Sequence, residues 1–401
     1  MTVLDRAART ALSRRLERIT YGRLTVAGAG PAQVFGDGTG PAVTLEVRDP
    51  RFFRKTALGG HLGAAEAYLD GWWETDDLVG LVRILVRNRG ALAGLERGLA
   101  WLARPGRALA HALRRNTRAG SRRNIAAHYD LGNAFFGLFL DDTLAYSCGI
   151  FERPDATLRE ASVAKFDALC RKLELGPKDH LLEIGTGWGG FAVHAAREYG
   201  CRVTTATISR QQEVLAGRRV ADAGLAGRVT VLNRDYRDLD GVYDKLVSIE
   251  MIEAVGHHYL ERFFRVCADR LAPDGLFALQ AITIQDRLYD AARREVDFIK
   301  RYVFPGSCIP SRAVLTAAAA ATDLTLVDLR DLTPHYAETL RRWREGLRAR
   351  RADARALGFD DRFLRLWEFY FSYCEGGFRE RVLGDVQMLF AKPENRRGGW
   401  R

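Results

Sequence analysis

The residues Leu182-Glu183-Ile184-Gly185-Thr186-Gly187-Trp188-Gly189-Gly190 have the composition of a loop that holds a small ligand against bare backbone. An apolar run, His180–Ile184, stops at the glycines, and a helical pattern, Phe191–Glu198, starts after them. The match to G-x-G-x-x-G is weak alone, so the surroundings must choose the ligand. A dinucleotide site places an acid for the ribose at the end of the second strand. Here that strand ends in Ala206-Thr207-Ile208-Ser209, with no acid before Glu213. Glu183, just ahead of the glycines, suits the cationic end of S-adenosylmethionine better than a pyrophosphate. The third strand runs into Asp235-Tyr236-Arg237-Asp238, an acid and an aromatic for an adenine's edge and face. The pattern favours S-adenosylmethionine over a dinucleotide or an unliganded turn.

The elements that must position this loop follow from periodicity. Strands are expected at His180–Ile184, Arg202–Ala206, Val229–Asn233, Lys245–Ile249 and Phe277–Ile284, with helical patterns between them. That alternation indicates βαβ units and a mostly parallel sheet. The first hundred residues instead mix strand-like pieces (Leu24–Val26, Ala42–Val47) with helical ones (Gly63–Leu69, Leu78–Val86). Two domains are expected, 1–120 and 121–401. The insert Asp286–Phe304 and helices at Tyr336–Arg351 and Arg362–Tyr373 stand where a lid over the core belongs.

Composition bounds the rest. The chain has 401 residues, 47% hydrophobic and 28% charged, which excludes disorder, collagen and a coiled-coil rod. Its net charge of +11 comes from 61 Lys+Arg against 50 Asp+Glu, and only seven of those cations are lysines. A basic chain suits nucleic acid, an anionic membrane or acidic small molecules. The acid-free run Arg104–Arg123 fits a phospholipid surface, since it lacks the interleaved aromatics of a nucleic-acid groove. Cysteines 148, 170, 201, 267, 308 and 374 are scattered, as reduced thiols are, and no metal site is expected. No apolar run approaches the length of a membrane span, so a cytoplasmic protein with peripheral contact at the inner face of the plasma membrane is expected.

Motifs in order carry a resemblance. Asn124-Ile-Ala-Ala-His128-Tyr129-Asp130-Leu131-Gly132-Asn133, Tyr146-Ser147-Cys148, the glycine loop, Thr207-Ile208-Ser209-Arg210-Gln211-Gln212, Asp235-Tyr236-Arg237-Asp238, Glu253-Ala254-Val255-Gly256, Tyr302-Val303-Phe304-Pro305-Gly306 and His335-Tyr336 resemble the cyclopropane-fatty-acyl-phospholipid synthase family. Gly71-Trp72-Trp73-Glu74 is similar to the extra N-terminal domain of its longer members. The resemblance implies a Rossmann-like class I methyltransferase, α/β with a mostly parallel seven-stranded sheet and a helical cap, beside a smaller α+β domain. It implies a cofactor shell of Tyr146, Ser147, Gly185, Gly187, Gly189, Thr207, Ile208, Gln212, Asp235, Tyr236 and Ile249, with Thr207 and Gln212 replacing the ribose acid. The implied reaction is methyl transfer from S-adenosylmethionine to the cis double bond of a phospholipid-bound chain such as oleoyl.

That reaction leaves a carbocation, so water must be excluded, aromatic faces should line the site and a base must remove one proton. Aromatic candidates are Tyr129, Phe135, Phe136, Phe139, Tyr302, Phe304, Tyr336, Phe369 and Tyr370. Cyclopropane-forming relatives hold a bicarbonate with a Cys, a Glu, a His and a Tyr, at a loop reading Gly-x-x-Glu-His. Cys148, Glu253 and Tyr336 match; Glu250 stands at the glycine, Ala254 at the motif histidine and Gln280 at the family's histidine on the next strand. A fixed carboxylate and a lost imidazole disfavour bicarbonate, because like charges repel. Glu250 is therefore expected to serve as the base at an ordinary carboxylate pKa. Glu250 and Glu253, three apart, would share a helical face as a coupled pair.

These variants resemble the actinobacterial branch linked to methylene and 10-methyl fatty acids, in which a separate reductase finishes the methyl branch. A methylene product is preferred, with a bicarbonate-using cyclopropane synthase as one alternative and a non-catalytic lipid-binding protein that keeps the fold as another. Cys374 matches a cysteine once regarded as the family's nucleophile, though a buried structural thiol is preferred. His128 is expected as a cap or a catalytic group. A homodimer is left open as a partner arrangement, and no nucleic-acid partner is expected.

Overall fold

The computed structural model describes residues 1–92 and 132–396. The basic run Arg104–Arg123, His128 and Tyr129 lie outside the described residues.

Two compact units emerge, and the chain passes between them more than once. The first comprises Met1–Leu113, Glu295–Val303 and Leu340–Val382; the second comprises Arg114–Arg294, Phe304–Thr339 and Leu383–Arg401. This differs from a single cut near residue 120. Of the segments expected beside the cofactor core, 295–303 and the helix Asp361–Arg379 group with the first unit. The physical reason is close packing on the helix Leu78–Arg87: Gly376 leaves no room for a Cβ, which would stand 2.5 Å from Val82.

The first unit holds a four-stranded sheet of β1 (Arg23–Ala27), β2 (Gln33–Phe35), β3 (Ala42–Val47) and β4 (Trp73–Thr75), in the order β2-β1-β3-β4. Leu24 and Val26 of β1 alternate with exposed or half-buried neighbours, as do Val43, Leu45 and Val47 of β3, so one face is buried. Helix Val3–Leu16 begins with a reciprocal Thr2–Asp5 capping box. Phe298, Tyr302, Phe369 and Tyr68 form an aromatic group within this unit, with Phe298 4.7 Å and Tyr68 5.6 Å from the Phe369 ring. Tyr370, in the same unit, lies 5.5 Å from Trp367.

The second unit is built on a seven-stranded sheet. Its strands are β5 (His180–Ile184), β6 (Arg202–Thr207), β7 (Val229–Asn233), β8 (Tyr243–Ile249), β9 (Leu271–Ile284), β10 (Thr325–Asp331) and β11 (Leu383–Ala391). The order is β10-β11-β9-β8-β5-β6-β7, with β11 antiparallel to both neighbours and the other pairings parallel. The five strands expected from apolar runs are present. The order reverses between β5 and β8, and in such sheets ligands bind at that crevice, beyond the carboxyl ends of the strands. The glycine loop after β5 and the Glu250 loop after β8 both open there. No helix among the described residues is long and apolar enough to cross a membrane.

Candidate active site

The glycine loop has the backbone that its sequence requires. Gly185, Gly187 and Gly189 have φ of 104°, 50° and 83°, a region that disfavours residues with a Cβ. Gly187 faces open space, whereas a Cβ on Gly185 would stand 3.2 Å from Met251. The loop is pinned from behind, since the Gly185 and Thr186 N–H groups both donate to the Ala206 carbonyl. Glu183 is enclosed at the end of β5, where Thr205 Oγ1 donates to it at 2.6 Å, and burial pushes its carboxyl up to about 8. Thr207 Oγ1 donates to Gln212 Oε1 at 2.8 Å, which fixes the amide at the tip of β6. Ser209, beside Ile208, caps the helix Arg210–Asp222. Asp235 is buried against Arg237 at 2.6 Å and caps the turn that presents Tyr236.

These residues fit S-adenosylmethionine. A glycine open to close approach, an amide and an acid at successive strand ends, and a half-buried tyrosine suit a nucleoside with a charged tail. Tyr146 and Ser147 precede Cys148 on the segment before helix Leu158–Lys172. The Tyr146 ring lies 5.4 Å from Phe136 and 6.2 Å from Phe139, and Phe304 is 6.5 Å away. Phe135, Phe136 and Phe139 are buried.

The second cluster is centred on Glu250, the residue after β8. Its φ of 47° is left-handed, a conformation that costs about 1–2 kcal/mol for a residue with a Cβ. Its backbone N–H donates to the Gln280 carbonyl of β9 at 2.8 Å. Three donors end on its carboxylate: the Cys148 N–H at 2.8 Å and Gln280 Nε2 at 2.8 Å on Oε1, and Tyr336 Oη at 2.6 Å on Oε2. Burial pushes the Glu250 carboxyl above the usual carboxylate range, while Tyr336, Lys165, Cys148 and Gln280 oppose that shift. The expectation of an ordinary pKa is corrected accordingly.

Glu253 sits on a 3-10 turn, Ile252–Ala254, and accepts from the Ile282 N–H at 2.6 Å. Its Oε2 is buried without a partner. Burial and the nearby Glu250 charge push this carboxyl up to about 8. The two glutamates do not share a helical face as expected, because the left-handed Glu250 breaks the turn before Glu253. Neither donates to the other: the Glu250 oxygens are taken by Cys148, Gln280 and Tyr336.

Cys148 Sγ is enclosed and donates to the Gly149 carbonyl at 3.2 Å, and burial holds it well above the ordinary thiol pKa. Ile249, at the end of β8, leads directly into Glu250. Cys374 is on helix Asp361–Arg379, which belongs to the first unit, and burial pushes its thiol up as well. A thiol so held is a poor nucleophile.

Three members of the cluster escaped the reading of the sequence. Lys165 is fully buried, with Nζ 2.6 Å from Ser147 Oγ. Asp385 is fully buried with neither carboxyl oxygen hydrogen-bonded, and Gln387 Nε2 donates to Gln280 Oε1 at 3.1 Å. Each had a signal. Lys165 interrupts the apolar face Ala161, Phe166, Leu169, and Asp385 and Gln387 alternate with Val386 and Met388 in a strand buried on both sides.

The raised carboxyls of Glu183 and Glu253 make stability depend on pH with a definite sign. Both stay protonated in the native chain up to about 8, whereas the unfolded chain releases those protons near the ordinary value of 4.5. The native state therefore binds more protons between these values, and stability falls as pH rises from about 4.5 to about 8. Thermal melting of the ligand-free chain across that window should show the decline. Glu183→Gln and Glu253→Gln should each flatten it, and an unchanged slope in both would contradict this assignment.

Residues 116–388 match the family described as Mycolic acid cyclopropane synthetase. The chain is 38% identical over 397 residues to tuberculostearic acid methyltransferase UfaA1 of Mycobacterium tuberculosis, covering 95% of this chain and 91% of the relative. It is 35% identical over 359 residues to the cyclopropane-fatty-acyl-phospholipid synthase of Escherichia coli, covering 89% of each. Among solved structures, mycolic acid cyclopropane synthase CmaA1 complexed with SAH and CTAB superimposes with a TM-score of 0.63 at 34% identity. The match covers 68% of this chain and 98% of that one.

Proposed function

Since this chain belongs to the mycolic acid cyclopropane synthetase family, we propose that it converts the cis double bond of a phospholipid-bound acyl chain to a methylene branch, with Glu250 as the base. It is an S-adenosylmethionine-dependent methyltransferase that acts on fatty acyl chains. One observation carries the role of Glu250. Cys148 and Tyr336, which match bicarbonate ligands of the family by resemblance, and Gln280, which replaces a family histidine, all donate to the Glu250 carboxylate.

The cofactor, when bound, supplies an electrophilic methyl. Gly185, Gly187, Gly189, Thr207, Gln212, Asp235 and Tyr236 would hold it. One alkene carbon forms the new C–CH3 bond, the methyl's bond to the cofactor's sulfonium sulfur would break with its electron pair going to sulfur, and the positive charge falls on the other alkene carbon. The Glu250 carboxylate, fixed by three donors, stabilises that charge at no reorganisation cost. A 1,2-hydride shift from the methyl-bearing carbon moves the charge onto that carbon. A Glu250 oxygen then takes a proton from the added methyl, and the C–H pair becomes the exocyclic C=CH2 bond. Proton loss before the shift would close a cyclopropane instead. Phe135, Phe136 and Phe139 help exclude water, which would trap the cation as an alcohol.

The substrate is met at an anionic phospholipid surface, a reading supported by the name of the Escherichia coli relative and by the net charge of +11. A separate reductase would complete a methyl branch. Mass spectrometry of membrane fatty acids, after expression in a host without this activity, tests the reading. A gain of one CH2 with ozonolysis at a terminal methylene is expected; an unchanged profile or a ring product would overturn it.

A further inference from the structure

Lys165 stands out as a charge without an ion pair. It lies on helix Leu158–Lys172, its side chain is fully enclosed, and among the described residues no carboxylate is within ion-pair distance of it. Its Nζ donates to Ser147 Oγ at 2.6 Å and lies 4.6 Å from the centre of the Phe166 ring. Ser147 is bonded through the chain to Cys148, whose N–H donates to Glu250 Oε1 at 2.8 Å. One short path therefore joins the ammonium to the carboxylate. Keeping an enclosed ammonium is costly unless opposite charge faces it.

Burial lowers the Lys165 pKa from the ordinary lysine value, and the acids Glu250 after β8, Asp385 on β11 and Asp141 before Ser147 oppose that shift. Glu183 on β5 and Glu253 on the 3-10 turn are in the same region. Cys148 and Tyr336 complete the titratable set. Burial pushes the Glu183 and Glu253 carboxyls up to about 8 and holds the Asp385 carboxyl well above its ordinary value. Asp141 is engaged by the Thr143 N–H and by Ser162 Oγ. Glu250 is the acid that donors surround on both oxygens, and Lys165 is the cation that lowers its proton affinity through space.

We propose that Lys165 is a positioning residue for methyl transfer: its enclosed ammonium, anchored on Ser147, is the counter-charge that keeps the Glu250 carboxylate ionised. This rests on the role of Glu250 proposed above. The anchoring has a second consequence. Because Ser147 Oγ accepts from Lys165, its own O–H is left to donate, in the segment that should face the cofactor.

The test is the acid limb of kcat/KM on oleoyl-phospholipid vesicles. Lys165→Gln keeps a donor for Ser147 but removes the charge, and should move the limb up by about one pH unit or more, a tenfold loss on its acid side. Lys165→Arg keeps the charge and should hold the limb near the wild-type position. An unmoved limb in Lys165→Gln, or equal displacement in both variants, overturns the proposal, since a purely structural lysine would change amplitude without moving the limb. If Lys165→Gln does not fold, Ser147→Ala, which frees the ammonium from its anchor, should displace the same limb; an unmoved limb there overturns the proposal. Glu250→Gln separates the two readings. Full turnover by that variant sinks the Glu250 role itself, whereas lost turnover with an unmoved Lys165→Gln limb sinks only the Lys165 assignment.

Discussion

Glu250→Gln should lower turnover on oleoyl-phospholipid vesicles by about 10²–10⁴-fold, the range general-base catalysis contributes. The amide has nearly the shape of the carboxylate, so its oxygen can still accept from Tyr336 or Cys148, which donate to Glu250 at 2.6 and 2.8 Å. The base and the negative charge that faces the developing cation are lost together. Binding of S-adenosylhomocysteine, measured by calorimetry, should change little, because the glycine loop and Gln212 belong to other strand ends. A variant that binds the cofactor product normally and still methylates at the wild-type rate would contradict the assignment.

Glu250→Gly should be nearly as inactive, yet rescuable. Glycine tolerates the φ of 47° without the strain that glutamate bears, which offsets part of the cost of leaving the carboxylate's donors unpaired. Its removal leaves the Cys148 N–H, Gln280 Nε2 and Tyr336 Oη facing a space the size of a carboxylate. Small planar anions suit such a space. Added bicarbonate or formate should restore turnover at least tenfold, a recovery of about 1.4 kcal/mol in the barrier. Glu250→Gln, whose amide fills the space, should not respond. Rescue in neither variant would mean that the three donors do not form an anion site once the glutamate is gone.

The core of the fold was legible because apolar runs separated by helical periods mark buried parallel strands, as at His180–Ile184 and Val229–Asn233. The antiparallel strand β11 and its edge neighbour β10 were not. β10 is an edge strand exposed along nearly its whole length, so no alternation marks it, and β11 carries Asp385 and Gln387 inside an apolar run. The return of Asp361–Arg379 to the first unit is a long-range packing preference that local pattern does not encode. In the candidate site, the convergence of Cys148, Gln280, Tyr336 and Glu250 was visible as a set of substitutions against a motif. The left-handed backbone that aims Glu250 was not visible, because glutamate is a poor signal for positive φ. Nor was the buried Lys165, since one lysine on an apolar helical face reads as a side chain that reaches for water.

The most direct test of a built-in base uses the unmodified enzyme. Turnover is measured in carbon-dioxide-free buffer, with and without added bicarbonate, on oleoyl-phospholipid vesicles. With the three donors already bound to Glu250, the rate should be the same in both. A tenfold or greater stimulation by bicarbonate would show that an exogenous anion, and not the Glu250 carboxylate, removes the proton.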